Sequence, residues 1–119
     1  MSLYIVEKAL NGIAVLDLRG RITLGDETAN LRQMVNDLLN SGRKQIVLNL
    51  KGVNYIDSSG LSTLIACFIS SRKQGGSLKL AHLTTRVRDL MQITRLSTVF
   101  ESYETVEDAK NSFDQRAPA

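Results

Sequence analysis

Two spacings of apolar residues alternate along the chain. Residues 3–8 and 13–19 have the composition of β-strands, and Asn11-Gly12 between them is a dipeptide that favours tight hairpin turns. From Asp26 onward the apolar residues recur at helical spacing until Gly42, an expected helix stop. The residues of this stripe are Leu31, Met34, Val35, Leu38 and Leu39. The first third of the chain is therefore predicted to form a β-hairpin and one helix.

The second part of the chain repeats a strand-then-helix order. Residues 46–50 are almost wholly apolar, which is typical of a strand covered on both faces of a parallel sheet. A second helical stripe follows and ends at Gly75-Gly76, before a predicted strand at residues 77–81. The stripe consists of Leu61, Leu64, Ile65, Phe68 and Ile69. This order predicts parallel strands joined by helices.

The last forty residues predict two more helices and a short strand between them. Val87, Leu90 and Met91 indicate the third helix, and residues 99–100 are predicted to form the last strand. Thr105, with Asp108 three residues later, is the expected cap of a final helix. That helix is predicted to run through Val106, Ala109 and Phe113.

The alternation of strands and helices predicts an α/β domain with a mixed sheet of four to five strands and about four helices. The hairpin supplies the antiparallel pair, and the later strands are expected to be parallel. A chain of 119 residues matches one ordinary domain. We expect a single domain over residues 1–113 and a flexible tail over residues 114–119.

Composition places this domain among ordinary globular proteins, with 43% hydrophobic and 23% charged residues. The longest apolar run, residues 64–69, is far shorter than the roughly 20 residues that cross a bilayer, so no membrane span is expected. The N-terminus lacks the pattern of a secretory signal. A single cysteine permits no internal disulfide, and a cytoplasmic location is therefore expected.

The charged residues give little reason to expect nucleic acid as a partner. The net charge of +3 comes from 15 basic and 12 acidic residues spread along the chain. Readers of RNA and single strands usually add stacking aromatic residues, whereas this chain has three Tyr, three Phe and no Trp. Arg72 with Lys73, and Arg86 with Arg88, are expected on solvated faces, although helix-borne cations could assist an acidic partner.

Three polar residues stand where the strand after residue 46 gives way to a helix. Asp57, Ser58 and Ser59 are residue types that cap helices, and Gly60 permits a close approach of the backbone. Capping is the simplest explanation of these residues. One cap requires only one side chain, however, so at least one hydroxyl is expected to be spare and exposed at the carboxyl edge of the sheet, where α/β proteins bind ligands and partners.

A spare hydroxyl could be a nucleophile or a phosphate acceptor. Catalysis needs a base, and His82 is the only histidine; neither serine lies in a Gly-x-Ser-x-Gly elbow, so we expect no enzyme. Cys67 is expected in the core, and His82 with Cys67 makes no recognised metal site. No cofactor is predicted. A phosphoryl group would be tolerated at a helix N-terminus and would act outward, on a docked surface.

The residues that surround this element resemble a known family. Residues 46–50, Val53 and the run from Tyr55 to Leu61, preceded by residues 18–22, are similar to the STAS domain of bacterial anti-sigma factor antagonists. The resemblance covers about residues 3 to 113. It implies a STAS fold and a partner-switching regulator without catalysis. In this family the unphosphorylated form binds an anti-sigma factor that is also a serine kinase, and so frees a sigma factor.

The resemblance also implies roles for individual residues. Phosphorylation of Ser58 by the kinase would release the partner, and a PP2C-like phosphatase would restore binding. Thr23 departs from the family pattern, since many members have an acidic residue there. The implied partner-binding residues are Gly20, Arg21, Ile22, Thr23, Leu24, Asp57, Ser58, Ser59, Gly60 and Leu61. The alternative is a STAS module that serves as a scaffold or small-molecule sensor in a larger assembly, with Ser58 only capping the helix.

Overall fold

A computed structural model describes residues 3–114 of the chain, except for the side chains of residues 26, 27 and 114. The elements in chain order are β1 (Leu3–Leu10), β2 (Ile13–Ile22), α1 (Asp26–Asn40), β3 (Gln45–Ile56), α2 (Ser58–Lys73), β4 (Ser77–Ala81), α3 (Thr85–Ile93), β5 (Ser102–Tyr103) and α4 (Val106–Asp114). Residues 115–119 of the expected tail lie outside the described residues, and Asp114 is the last residue of α4.

The five strands form one sheet in the order β1-β2-β3-β4-β5. β1 and β2 are antiparallel, and each later neighbouring pair is parallel. Asn11 and Gly12 have φ angles of 52° and 84°, as a two-residue hairpin turn requires. The predicted mixed sheet, N-terminal hairpin and four helices are thus confirmed.

Two cores lie on opposite faces of the sheet. The larger core joins the sheet to α1, α2 and α3, and the smaller core joins it to α4. β3 shows why its sequence is continuously apolar: Ile46 and Leu48 point into the larger core, while Val47 points into the smaller one. The prediction that residues 46–50 form a strand covered on both faces is confirmed.

The last strand lies later than predicted. The sequence predicts this strand at residues 99–100, but these residues directly follow a 3₁₀ turn (Leu96–Thr98), and the N–H of Phe100 donates back to the carbonyl of Leu96 at 3.1 Å. Phe100 is apolar because it is buried against Phe68, with the ring centroids 5.2 Å apart. Pairing with β4 begins only at Glu101, whose carbonyl accepts from Leu80. The apolar signal therefore marked a core contact and not the strand.

β3 is much longer than β4 and carries the site region. Pairing between these strands ends at Asn49 and Ala81, whereas β2 and β3 stay paired as far as Ile22 and Ile56. The ends of β2 and β3 consequently extend beyond β4. α2 begins directly after this extension, and the N-terminal part of α3 lies beside it.

α4 is attached to the sheet through a buried lysine. Lys79 on β4 is 7% exposed, and its Nζ lies 2.7 Å from the hydroxyl of Ser112 and 3.1 Å from the carboxylate of Glu101. The same ammonium lies 4.4 Å from the ring centroid of Phe113. A buried charge persists only when it is paired in this way, so Lys79 holds α4 in one position.

Candidate functional site

Asp57 is the N-cap of α2. Its backbone is extended, and its Oδ1 accepts a hydrogen bond from the N–H of Gly60 at 2.8 Å. Its own carbonyl accepts from the N–H of Leu61 at 2.9 Å. The Asp57 carboxylate therefore caps the helix by accepting one of its free N–H groups, and α2 begins at Ser58.

The hydroxyl of Ser58 has no structural task among the described residues. The side chain is exposed, and no hydrogen bond joins it to another described residue. The idea that Ser58 only caps the helix is wrong, because Asp57 does so. Ser59 is half-buried, and its carbonyl accepts from the hydroxyl of Thr63 at 3.1 Å. Ser58 is thus the spare, exposed hydroxyl, at the terminus where the helix dipole favours negative charge.

Gly60 allows α2 to lie directly against the end of β2. A Cβ at this position would overlap the carbonyl oxygen of Ile22 and would lie 2.8 Å from Cγ1 of Ile56. The N–H of Asp57 also donates to that carbonyl at 3.3 Å. The two segments that the sequence resemblance pointed to, residues 20–24 and 57–61, are therefore neighbours in the structure.

The ten implied partner-binding residues divide by exposure. Three are buried and support the surface from beneath: Ile22, Gly60 and Leu61. Arg21, Leu24 and Ser58 are exposed, and Leu24 is 83% exposed. The half-buried residues are Gly20, Thr23, Asp57 and Ser59. A partner could touch the exposed and half-buried side chains, whereas the three buried ones set their positions.

Arg21, Tyr55 and Arg86 form a cluster at the β2–β3 extension that the sequence does not predict. The guanidinium carbon of Arg21 lies 4.6 Å from the ring centroid of Tyr55, and that of Arg86 lies 5.8 Å from the same centroid. The sequence predicts Arg86 on a solvated face, as a cation that could assist an acidic partner, and Tyr55 only as part of the motif. No signal in the sequence links these residues, because they come from β2, β3 and α3.

The other polar candidates show no chemistry in the described part of the chain. Burial raises the pKa of the Cys67 thiol to about 12, so the reactive thiolate is scarce at neutral pH. His82 lies beside Lys51, Arg88 and Glu104, in a depression that does not include Ser58. Among the side chains that the structure describes, no group of three His, Cys, Asp or Glu could hold a metal ion. No helix within residues 3–114 is long and apolar enough to span a bilayer.

Comparison with known proteins adds a family and several relatives. The family model described as the STAS domain matches residues 4–109. The anti-sigma-B factor antagonist of Bacillus subtilis is 44% identical over 52 residues, which cover 44% of this chain and 48% of that protein. The match thus spans about half the length of that relative.

Solved structures share the fold at low identity. A crystal structure from Thermotoga maritima, of a protein provisionally named an anti-sigma factor antagonist, has a TM-score of 0.83 at 23% identity, over 91% of this chain and 92% of that one. The anti-sigma factor antagonist SpoIIAA has been solved in two forms. Its unphosphorylated form has a TM-score of 0.73 at 14% identity, over 96% of this chain and 100% of that one. The phosphorylated form of SpoIIAA, a Bacillus cell fate determinant, has a TM-score of 0.72 at 17% identity, over 92% of this chain and 99% of that one. At such identities the likeness concerns the fold.

Proposed function

Because this chain belongs to the STAS domain family, we propose that it is an anti-sigma factor antagonist controlled by phosphorylation of Ser58. In its unphosphorylated form it binds an anti-sigma factor that has serine kinase activity, and a sigma factor is set free. Phosphorylation releases the anti-sigma factor, and a PP2C-like phosphatase restores binding. The chain acts by binding in the cytoplasm and catalyses no reaction itself.

The observation that carries this proposal is the separation of tasks at the start of α2. Asp57, and not Ser58, caps the helix by accepting the N–H of Gly60. The hydroxyl of Ser58 can therefore gain or lose a phosphoryl group without removing a hydrogen bond from the fold. The helix dipole favours an anion at this end. The fold is therefore expected to be at least as stable in the phosphorylated state as in the unphosphorylated one.

A phosphoryl group on Ser58 would act on the docked partner. It brings about −1.5 to −2 charges and three acceptor oxygens to an exposed position. A partner surface packed over Ser58 would have to desolvate this charge or dissociate. A buried unpaired charge costs several kcal/mol, so dissociation is expected. The existence of a structural neighbour in phosphorylated and unphosphorylated forms supports a switch of this type.

The first test is mass spectrometry of the protein recovered from its own host. The tryptic peptide that covers residues 52–72 would be searched for a phosphate and the phosphate located. A phosphate on Ser58 that changes with growth conditions supports the switch. A peptide that stays unmodified under every condition argues against it and favours a non-switching scaffold.

The second test uses Ser58→Asp, with Ser97→Asp as the matched control on a remote exposed serine. We expect both variants to melt within about 3 °C of the wild type, because surface substitutions change stability by less than about 0.5 kcal/mol. Only Ser58→Asp should weaken binding to the anti-sigma factor, by at least about tenfold. Ser58→Ala should bind and remain permanently active. A large loss of stability with binding retained would contradict the proposal.

A further inference from the structure

We propose that Arg21, Tyr55 and Arg86 form an arginine clamp that binds a carboxylate of the partner protein, and that an apolar side chain of the same partner segment packs beside it on Ile93. This inference rests on the proposed function and adds the chemistry of the surface that docks. The partner is inferred to present an Asp or Glu and an apolar residue within one short segment.

The clamp is built on the edge of the fold that carries Ser58. Arg21 and Tyr55 face each other across β2 and β3, one residue before the pair Ile22 and Ile56. Ser58 follows two residues after Ile56. Arg86, in the first turn of α3, reaches the same ring, with its guanidinium carbon 5.8 Å from the centroid. A partner that covers Ser58 would therefore meet the clamp.

The two guanidinium groups of the clamp lie close together. Both guanidinium groups lie near one ring centroid, so they are no more than about 10 Å apart, roughly the Debye length in 0.1 M salt. Neither forms an ion pair with a carboxylate among the side chains that the structure describes. Stacking on an aromatic face holds a guanidinium in place and leaves its N–H donors free. A carboxylate within reach of both groups would accept from both and relieve their repulsion.

An apolar surface adjoins the clamp. A depression of about 550 Å³ is lined by Ile56, Thr85, Arg86, Asp89, Leu90 and Ile93. Ile93 is 78% exposed, although it is a large apolar side chain at the wall of this depression. Well-packed apolar contacts beside fully paired charges are the usual centre of protein interfaces. The volume is large enough for one Leu or Phe side chain.

Asp89 distinguishes a protein segment from a polyanion. Asp89 lines the same depression and forms no ion pair with Arg86 within 4.0 Å. Its negative charge would repel a chain of phosphates. A single carboxylate brings one negative charge to the clamp, whereas a nucleic acid backbone brings several. The surface therefore favours an acidic and apolar segment of a protein.

The clamp can be tested with the anti-sigma factor identified for the wild-type chain. Arg21→Gln and Arg86→Gln should each weaken binding by at least about tenfold and should reduce its dependence on salt. Arg88→Gln is the matched control, since Arg88 lies on the same helix but lines a different depression, beside His82 and Glu104. If the wild type binds no anti-sigma factor, the proposed function fails. If all three variants bind as the wild type does, the clamp alone is wrong.

A peptide probe tests the clamp without the natural partner. The ¹⁵N-labelled chain would be titrated with a capped Leu-Glu-Glu-Leu peptide and followed by NMR, with Leu-Gln-Gln-Leu as the control. We expect saturable shifts at Tyr55, Arg86 and Ile93 with a Kd on the order of 1 mM, lost in Arg86→Gln and kept in Arg88→Gln. Equal shifts with both peptides, or none with either, would overturn the proposal. So would a single-stranded oligonucleotide that shifts the same signals at lower concentration, which would indicate a nucleic acid.

Discussion

At the scale of single residues, three neighbouring polar side chains at the start of α2 have separate tasks. Asp57 accepts the N–H of Gly60, Ser59 is half-buried, and Ser58 faces solvent with no bond to another described residue. A hydroxyl without a structural task can be modified without loss of a hydrogen bond. This is why stability and binding should respond to different residues here.

We expect Asp57→Ala to lower the free energy of unfolding by about 1 kcal/mol, because the N–H of Gly60 loses its acceptor. Ser58→Ala should change it by less than about 0.5 kcal/mol. Urea unfolding followed by circular dichroism measures both. Thr105→Ala is a useful control, since Thr105 caps α4 through a 3.0 Å bond from the N–H of Asp108, away from the site. It should also lose about 1 kcal/mol but keep partner binding. A larger loss for Ser58→Ala than for Asp57→Ala would contradict this division of tasks.

At the scale of elements, the position of α2 relative to β2 depends on one missing side chain. Gly60 is buried, and a Cβ there would overlap the carbonyl of Ile22. A backbone carbonyl cannot move aside as a flexible side chain can. Any residue larger than glycine would therefore push the start of α2, together with Ser58, away from residues 20–24.

Gly60→Ala should lower the free energy of unfolding by about 3 kcal/mol, at the upper end of the usual cost of overpacking, because the obstacle is backbone. It should also weaken partner binding, since the two segments of the surface separate. Gly42→Ala is the comparison: it has open space but a φ of 92°, so only strain of about 1 kcal/mol is expected. Thermal or urea unfolding of both variants measures the difference. Equal losses for the two would show that α2 can shift freely.

At the scale of the whole molecule, Asp17 and Glu101 each bind a side chain of another strand, Asn49 of β3 and Lys79 of β4. Although burial opposes it, hydrogen bonds from Lys8 and Asn49 and the charges of Lys8 and Arg19 lower the pKa of Asp17. Hydrogen bonds from Tyr103 and Lys79 lower the pKa of Glu101. A carboxyl group whose pKa is lower in the folded state stabilises the fold in its ionised form. Both ends of the sheet thus depend on ionised carboxylates.

The pH dependence of stability follows from the lowered pKa values of Asp17 and Glu101. The contribution of both groups is fully present above their ordinary pKa values, 3.8 for Asp17 and 4.5 for Glu101, and is lost as the pH falls below them toward the folded-state values. The wild type should therefore lose stability between about pH 5 and pH 3. In the double variant Asp17→Asn with Glu101→Gln, this loss should be smaller, as urea titrations across that range would show. An unchanged slope would mean that other carboxyl groups cause the acid sensitivity.

The sequence by itself determined the number, type and order of most elements, because apolar spacing reflects which face of a helix or strand is buried. The hairpin at Asn11-Gly12, the buried strand β3 and the cap at Thr105 followed from such local signals. The motif at residues 57–60 was also readable, as a helix start with spare polar groups. The last strand was misplaced, because the apolar character of Phe100 reports burial against Phe68 and not backbone pairing.

The tertiary structure alone decided which side chains share a surface and which are free. The burial of Lys79 against Phe113, the contact of Gly60 with Ile22 and the position of two arginines on Tyr55 each join residues more than thirty positions apart. Such contacts depend on the twist and length of β3 and on where α2 and α3 come to lie. Local preferences act over a few residues and carry no information at that range. The sequence could therefore point to Ser58, but only the folded chain shows that Asp57 caps the helix in its place and that two arginines meet at Tyr55.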